Sequence, residues 1–250
     1  VGLMKVSVVI RVKNELQALK ECIARLRYIR GLIIEIVIVD SGSLDGTLEF
    51  AQKEADIFVK YDWPKWSWGR ALNLGIQHSS GDFILSLSAH CFLVNPNGVK
   101  LALENLLNSN IAAIYGVNIP IPGLNKFEEL ELMKLEKFRG ESFDGEDLRL
   151  GKCHIVTNSC ALLKKSDWLL QEFDESLESL EDFDWILKVI DDRLIVYSDE
   201  LSVYHSHIFN LNNILRREYH REYQSLDIRK KNISHRKMHF VVRALPYLFL

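Results

Sequence analysis

The chain has 250 residues, of which 48% are hydrophobic and 26% charged, and its formal net charge is −3 at pH 7. This composition is typical of a globular protein with its own core, and it excludes a disordered chain and a protein that binds nucleic acid through overall positive charge. The four cysteines form no C-x-x-C pair and have no zinc-ligand spacing with histidine. We therefore expect reduced, mostly buried thiols in a cytoplasmic protein.

The first ninety residues alternate short apolar runs with amphipathic segments. The apolar runs predict strands at Lys5–Val12, Ile33–Val39, Ile57–Tyr61 and Asp82–Leu87, and helical spacing predicts helices at Glu15–Ile29, Ser43–Ala55 and Trp68–His78. Such alternation is typical of βαβ units with parallel strands. We predict an α/β fold with a mostly parallel, Rossmann-like central sheet flanked by helices, and a ligand crevice at the carboxyl ends of its strands.

Beyond His90 the pattern is less regular. It predicts helices at Pro96–Asn108, Leu124–Arg139 and Leu180–Ile190, and strands at Ala112–Val117 and within Cys153–Leu163. The absence of repeats and of a low-complexity linker indicates one domain over residues 1–210. Residues 211–250 are predicted to form a basic and apolar helical extension, which favours either an anionic membrane surface or a solvated helical face. No segment is long and apolar enough to predict a membrane span.

Polar residues follow the first two predicted strands. Arg11-Val12-Lys13-Asn14-Glu15 follows the first, and Asp40-Ser41-Gly42-Ser43-Leu44-Asp45-Gly46-Thr47 follows the second. An acid at the carboxyl end of a parallel strand can accept hydrogen bonds from a ribose or a base, and small residues beyond it let a ligand approach the backbone. The alternative is a plain strand-to-helix turn in which Ser43 caps the next helix.

Two further segments complete a pattern: Trp66–Gly75 (WSWGRALNLG) and Gly81–His90 (GDFILSLSAH). In order and spacing, these four segments resemble glycosyltransferase family 2, the inverting enzymes of the GT-A fold, over residues 4–210. The resemblance implies transfer of a sugar from a nucleoside-diphosphate donor to a saccharide or lipid-linked acceptor, in the synthesis of cell-envelope polysaccharide or glycolipid. It also implies that Glu15 and Asp40 hold the nucleoside of the donor, and that Arg70 and Asn73 lie near its phosphates or sugar. Arg11 and Ser88 are predicted to bind substrate because of their positions at the ends of strands.

The segment after the fourth predicted strand departs from the family. Family members place Asp-x-Asp there, and its carboxylates hold a divalent metal on the diphosphate, whereas this chain has Ser88-Ala89-His90. Imidazole suits Mn²⁺ and later metals better than Mg²⁺. We therefore expect either a cation site that prefers Mn²⁺ to Mg²⁺, built by His90 with His205 or His207, or a diphosphate neutralised by protein cations. Ordinary hydrogen-bonded histidines are the alternative.

An acidic cluster, Glu181-Asp182-Phe183-Asp184-Trp185, completes the candidate site. Inverting transfer needs a base that removes the proton of the acceptor hydroxyl. The resemblance implies that Asp182 is this base and that Glu181 is its partner, while Trp185 forms either a wall beside the acceptor or part of the core. The alternative is an acidic first helical turn that complements the helix dipole.

Two rival functions differ in class from an active transferase of this family. A nucleotidyltransferase would carry a glycine-rich loop after the first strand, and residues 11–15 contain no glycine. A catalytically impaired nucleotide-sugar-binding or scaffold subunit of a polysaccharide assembly complex would explain the missing Asp-x-Asp. The complete Glu181-Asp182 pair favours an active enzyme.

Overall fold

A computed structural model describes residues 3–121, 129, 133, 137–153, 156–205, 219 and 223–229 of the chain. In the first half, strands and helices alternate as predicted: β1 (Lys5–Val12), α1 (Leu16–Leu26), β2 (Ile33–Asp40), α2 (Thr47–Glu54), β3 (Ile57–Lys60), α3 (Trp68–His78) and β4 (Phe83–Ser88). The predicted bounds of β1 and α3 are confirmed. Helix α2 begins four residues later than predicted, because Gly46, with a φ of 89°, ends the preceding turn in the left-handed region.

The second half contains elements that the sequence pattern did not predict. In chain order it has β5 (Cys91–Leu93), α4 (Gly98–Leu106), β6 (Ile111–Pro120), β7 (Ser142–Asp144), α5 (Gly145–Leu150), β8 (Cys160–Lys164), α6 (Lys165–Leu170), α7 (Glu181–Val189) and β9 (Leu194–His205). Strands β5, β7 and β9 and helices α5 and α6 are new. Most of the helix predicted at 124–139 lies outside the described residues.

All of the described strands belong to one sheet, in the order β3-β2-β1-β4-β8-β6-β9-β5, with β7 also paired to β9. Strands β3, β2, β1 and β4 are parallel, and β8 joins β4 in the antiparallel sense. The predicted parallel sheet is therefore confirmed for the first half of the chain, while the second half adds antiparallel pairs. Because the parallel strands end at the same edge, the segments after β1, β2, β3 and β4 meet there.

Both faces of the sheet are covered. Alternate residues of β1 and β2 contribute to two hydrophobic clusters, with Val9 and Val37 in one and Ile10 and Ile38 in the other. Strands that are buried on both faces have continuous apolar sequences, which explains the run of β-branched residues in each strand. All four cysteines are buried, as predicted, and the structure has them as free thiols.

The described part of the predicted extension packs onto the domain. Residues 223–229 are helical, and Ile228 is buried in the same cluster as Val9. The Ser179 hydroxyl donates a hydrogen bond to Gln224, and the Arg229 guanidinium lies 5.3 Å from the ring centroid of Phe183 in α7. This helical segment therefore contacts the helix that carries the acidic cluster. Within the described part of the chain, no helix combines the length and the hydropathy that crossing a bilayer requires.

A polar network stabilises the amino-terminal edge of the sheet. Glu35 of β2 is buried, and its carboxylate accepts hydrogen bonds from Lys5 Nζ at 2.6 Å, Ser7 Oγ at 2.6 Å and the Ser80 amide at 2.7 Å. Burial acts to raise the pKa of Glu35, but the hydrogen bonds from Lys5, Ser7 and Ser80 outweigh it and lower the pKa to about 2. The ionised carboxylate is thus the form that the fold favours.

We expect the Glu35 network to make part of the stability of the protein depend on pH. Because the pKa falls from 4.5 in the unfolded chain to about 2, its contribution is complete above pH 4.5 and is lost as pH falls toward 2. This loss should be about 1–2 kcal/mol in the free energy of unfolding, measured by urea denaturation between pH 6 and pH 3. Glu35→Gln should remove this pH-dependent part of the stability. Glu21→Gln, on the exposed face of α1, should leave it unchanged. Identical acid profiles for wild type and Glu35→Gln would contradict the prediction.

Candidate active site

A cavity of about 460 Å³ opens at the carboxyl ends of the parallel strands. Its walls come from the ends of β1, β2 and β4 and from the loop after β3, with Arg11, Lys13, Glu15, Ser41, Ser88 and His90 on the strand side and Tyr61, Trp63, Trp66 and Trp68 on the loop side. This volume lies in the range of small-molecule and cofactor sites. The structure therefore brings together four of the predicted substrate or metal residues, Arg11, Glu15, Ser88 and His90.

Two loops at one end of the cavity hold each other in place. The Asn14 amide donates to Ser43 Oγ at 2.9 Å, the Leu44 amide donates to Asn14 Oδ1 at 2.7 Å, and the Glu15 amide donates to Thr47 Oγ1 at 3.0 Å. Ser43 thus binds the loop after β1 and does not cap α2, which corrects the predicted capping role. These hydrogen bonds between the loops after β1 and β2 fix the backbone position from which the Glu15 side chain reaches the cavity.

Asp40 lies behind the wall of the cavity, not on its surface. Its carboxylate is fully buried, and Oδ1 accepts hydrogen bonds from the amides of Gly42 at 2.8 Å and Ser43 at 3.0 Å. Gly42 has a φ of 88°, a conformation that favours glycine. Oδ2 is buried and has no hydrogen-bond partner among the residues that the structure describes. Asp40 therefore shapes the turn that presents Ser41 to the cavity, and it keeps one oxygen uncommitted.

An aromatic loop, residues 61–68, forms the opposite wall. The Tyr61 hydroxyl closes this loop, because it donates to the Lys65 carbonyl at 2.8 Å and accepts from the Ser67 amide at 2.9 Å. The ring centroids of Tyr61 and Trp63 lie 5.7 Å apart, and those of Trp66 and Trp68 lie 5.0 Å apart. Trp63 is 46% exposed and Trp68 is 42% exposed. Sequence reasoning missed this wall, although the density of aromatic residues before α3 was a usable signal.

Arg70 and Asn73 of α3 differ in their contacts: Arg70 contacts a residue of the cavity wall, and Asn73 does not. The Arg70 guanidinium lies 5.1 Å from the ring centroid of Trp63, and its Nε donates to Glu175 Oε2 at 2.6 Å. Asn73 is buried and binds the protein's own chain: its Nδ2 donates to the Phe173 carbonyl at 2.9 Å, and its Oδ1 accepts from Trp168 Nε1 at 3.0 Å. Arg70 therefore supports the aromatic wall, while Asn73 joins α3 to the segment before α7 and lies away from the cavity.

The acidic pair begins α7 and is buried. Asp182 Oδ2 accepts a hydrogen bond from the Asn158 amide at 3.1 Å, and Oδ1 accepts one from the Phe183 amide at 2.8 Å. Burial, followed by the adjacent Asp182 charge, raises the pKa of Glu181 to about 7, while Arg11 acts in the opposite direction. The environment of Glu181 therefore favours its protonated form more than that of an ordinary glutamate, and two backbone N–H groups hold the side chain of Asp182 in place.

Arg11 connects the cavity with the acidic pair. Its side chain comes from the end of β1, and the residue is only 8% exposed. The guanidinium carbon lies 5.0 Å from the ring centroid of Trp68, and Nη1 lies 3.7 Å from Glu181 Oε1. Burial lowers the pKa of Arg11, and the charges of Glu181 and Asp182 oppose this. The group remains a cation, because the guanidinium of arginine is not deprotonated in proteins.

The remaining residues of the acidic cluster have structural contacts. Trp185 is fully buried, its Nε1 donates to the Gln171 carbonyl at 2.6 Å, and its ring centroid lies 5.3 Å from that of Phe173. The structure therefore places Trp185 in the core and not on an acceptor wall. Asp184 accepts a hydrogen bond from Lys188 one turn further along α7, at 2.6 Å.

Two of the three histidines predicted as metal ligands, His90 and His205, lie side by side at the cavity. His90 Nδ1 lies 2.7 Å from Glu15 Oε1, and the rings of His90 and His205 stack with centroids 5.1 Å apart and planes 26° apart. Because imidazole lone pairs lie in the ring plane, two stacked rings do not direct them to a common point. Among the described residues, no group of three histidine, cysteine or acidic side chains is placed to hold a metal ion. Ala89 has no ligand atom, and His207 lies outside the described residues.

Both the sequence and the fold are similar to those of known proteins. The model of the family described as glycosyl transferase family 2 matches residues 7–168. No curated protein sequence matches the chain. At the level of structure, the mannosyltransferase PcManGT from Pyrobaculum calidifontis, in complex with GDP-Man and Mn²⁺, is similar with a TM-score of 0.67 and 16% identity, over 94% of this chain and 66% of that one.

Two further solved structures have the same fold. Staphylococcus aureus TarS 1–349 is similar with a TM-score of 0.68 and 16% identity, over 94% of this chain and 67% of that one. Glucosyl-3-phosphoglycerate synthase from Mycobacterium tuberculosis, in complex with Mn²⁺, UDP and glucosyl-3-phosphoglycerate, is similar with a TM-score of 0.63 and 17% identity. This similarity covers 92% of this chain and 80% of that one. The chain therefore spans about two thirds of the length of the first two solved chains, and 41% of the longer solved chain of TarS. At these identities the likeness shows the fold, which is that of the GT-A glycosyltransferases.

Proposed function

The chain belongs to glycosyl transferase family 2, and from this membership and the geometry of the cavity we propose that it transfers a sugar from a nucleoside diphosphate to an acceptor hydroxyl, with inversion at the anomeric carbon. The observation that carries the proposal is the position of Arg11, which lines the cavity and lies 3.7 Å from Glu181 of the buried acidic pair. A donor site and a candidate base are thereby joined by one side chain.

The two walls of the cavity fit the two parts of such a donor. Aromatic rings stack on nucleobases of any kind, and Trp63 and Trp68, which line the cavity and are partly exposed, are the candidates for that contact. The turn at Asp40 and Ser41 can accept or donate hydrogen bonds to a base or a ribose. Neighbours of the same fold were crystallised with GDP-Man and with UDP-GlcNAc, which supports a hexosyl nucleoside diphosphate as the donor class.

The acidic pair fits the chemistry of a single displacement. The acceptor oxygen forms a bond to the anomeric carbon while the bond to the diphosphate breaks, and the hydroxyl proton passes to the carboxylate of Asp182. The nucleoside diphosphate leaves with the electron pair of the broken bond. Two neighbours contain Mn²⁺, but the donor set around His90 does not fit a divalent cation, and no step here is assigned to one.

A cell-envelope role and a place at the inner face of the membrane follow from the same proposal. The region 211–250 carries a group of cations: Arg216, Arg217, Arg221, Arg229, Lys230, Lys231, Arg236 and Lys237. Tyr219 and Tyr223, four residues apart in the sequence, are both well exposed. A sequence that combines cations with exposed aromatic side chains favours an anionic lipid surface, where a lipid-linked acceptor would lie. Flotation with anionic liposomes, with and without residues 211–250, tests this; equal recovery of both proteins would exclude it.

Donor binding and turnover separate the enzyme from its rival. Nucleoside diphosphate sugars are screened by thermal shift, because a ligand at about 100 times its Kd adds about 2.7 kcal/mol to the free energy of unfolding. The donor that stabilises the protein is then incubated with saccharide and lipid-linked acceptors. A non-catalytic subunit, which the missing Asp-x-Asp favours, would bind the donor and leave it intact. Failure of every donor to stabilise the protein would contradict the proposed function.

A further inference from the structure

Residues 88–90 lack the metal-binding pattern of the family, so the negative charge of a donor diphosphate has no evident cation to balance it. Given the donor class proposed for this cavity, a diphosphate enters it with negative charge and gains more as it departs. A catalytic site must place positive charge where that negative charge develops. The stacked rings of His90 and His205 and the Glu15 carboxylate do not form a divalent cation site. A side chain of the cavity itself must therefore supply the positive charge that binds the diphosphate.

Arg11 has the position for this role. Its strand position pairs with Ser88, at the edge of the sheet where the family's metal-binding segment follows β4. It lines the cavity, although the residue is 92% buried by the surrounding protein. Lys13 also lines the cavity, but its side chain is exposed and retains its hydration. A buried cation interacts with an incoming anion more strongly than an exposed one, because less water screens the pair.

Arg11 also has unused capacity for hydrogen bonds. A guanidinium has five N–H donors, yet Nη2 reaches the Asn158 carbonyl only at 3.5 Å and Nη1 reaches Glu181 Oε1 only at 3.7 Å. Nε is buried and has no hydrogen-bond partner in the described part of the chain. A charged donor that is buried and incompletely bonded costs free energy in the empty protein. Oxygen atoms of a ligand in the cavity would supply the missing acceptors.

The chemistry of the guanidinium selects the kind of ligand. Its planar fork binds two oxygens of a phosphate or carboxylate at once, and it binds them more strongly than a neutral donor does. The guanidinium carbon lies over the Trp68 ring, 5.0 Å from its centroid, and this cation–π contact restricts the movement of the group. We propose that Arg11 is the cation that binds the donor diphosphate and takes up the charge of the leaving group, in the place that a divalent metal holds in other members of the family.

In this arrangement one residue serves both ends of the displacement. As the bond between the anomeric carbon and the diphosphate oxygen breaks, the electron pair stays on that oxygen, and Arg11 donates hydrogen bonds to it. The same guanidinium lies 3.7 Å from Glu181 of the acidic pair. The proton of the acceptor passes to Asp182, so no other co-reactant is required.

The test is calorimetric binding of UDP, GDP and the corresponding nucleosides, with EDTA or with Mn²⁺. We expect the wild-type protein to bind one of the diphosphates in EDTA, with an affinity that Mn²⁺ changes less than about threefold. Arg11→Met should weaken diphosphate binding by about 10- to 100-fold and leave nucleoside binding unchanged. Arg11→Lys keeps the charge but not the planar fork, and its affinity for the diphosphate should lie between those of the wild type and Arg11→Met. Arg27→Met, which removes a surface cation paired with Glu54, is the matched control.

The outcomes distinguish this role from its alternatives. Diphosphate binding that requires Mn²⁺ in the wild-type protein would overturn the metal-independent role of Arg11 and leave the proposed function standing. Equal losses for diphosphate and nucleoside in the folded Arg11→Met and Arg11→Lys proteins would show a purely structural role. A wild-type protein that binds neither UDP nor GDP under either condition would overturn the proposed function together with this inference.

Discussion

Replacement of Asp182 by asparagine is expected to lower kcat by about 10²- to 10⁴-fold, the usual contribution of a positioned base. Asparagine has nearly the same shape as aspartate but does not take up a proton at neutral pH. Its Oδ1 can still accept a hydrogen bond from one backbone amide, from either Asn158 or Phe183. We therefore expect Asp182→Asn to fold, to bind donor with wild-type affinity, and to fail in the transfer step. The measurement is kcat at saturating donor and acceptor, together with the donor Kd.

Asp184→Asn is the matched control, because Asp184 lies in the same helical turn and its carboxylate is engaged by Lys188. Its kcat should stay near the wild-type value. The anomeric configuration of the product, read by NMR, should be inverted, since a single displacement forms no covalent sugar-enzyme intermediate. Near-normal turnover of Asp182→Asn, or a product of retained configuration, would contradict the assignment. Glu181, whose pKa of about 7 suits a base at neutral pH, would then be the next residue to test.

The sequence predicted the part of the fold that depends on local pattern. Strand β1 and helix α3 were predicted with the correct bounds because each is a continuous apolar run or a regular amphipathic repeat. Strand β9 was missed, although it is 12 residues long, because exposed Asp199 and Glu200 interrupt its apolar alternation. Strands β5 and β7 have three residues each. Strands this short are defined by their pairing with β9, and such non-local pairing has no signature in a sequence window.

The candidate site shows the same division between local and non-local information. Residues at the ends of predicted strands, such as Arg11 and Ser88, reach the cavity because strand position alone decides it. Asn73 was predicted to contact the donor, yet its amide is occupied by Phe173 and Trp168, which are distant in the chain. The stacking of His90 on His205 likewise depends on the pairing of β5 with β9. A side chain's partners across such distances are fixed by topology, which the sequence pattern did not predict for this half.

The Asp40 carboxylate has two oxygens in different situations, and this difference allows its roles to be separated. Oδ1 holds the turn through the amides of Gly42 and Ser43, whereas Oδ2 is buried without a hydrogen-bond partner among the described residues. An uncommitted buried carboxylate oxygen costs free energy in the empty protein unless a ligand supplies a donor to it. A nucleobase or a ribose offers N–H and O–H donors, and Ser41, the next residue, already lies on the cavity wall.

We expect Asp40→Ala to weaken nucleoside diphosphate binding by about 1–3 kcal/mol, which corresponds to about 5- to 150-fold in Kd. The value of kcat at saturating donor should change little, because Asp40 does not contact the reacting atoms in the proposed mechanism. Asp40→Asn separates the two roles: its Oδ1 can still hold the turn, but an NH₂ group replaces Oδ2 and opposes a donor from the ligand. If Oδ2 binds the nucleoside, Asp40→Asn loses affinity for both nucleoside and nucleoside diphosphate in calorimetry. Wild-type affinity in Asp40→Asn with a loss only in Asp40→Ala would assign Asp40 to the turn alone, and unchanged affinity in a folded Asp40→Ala protein would place the nucleoside elsewhere.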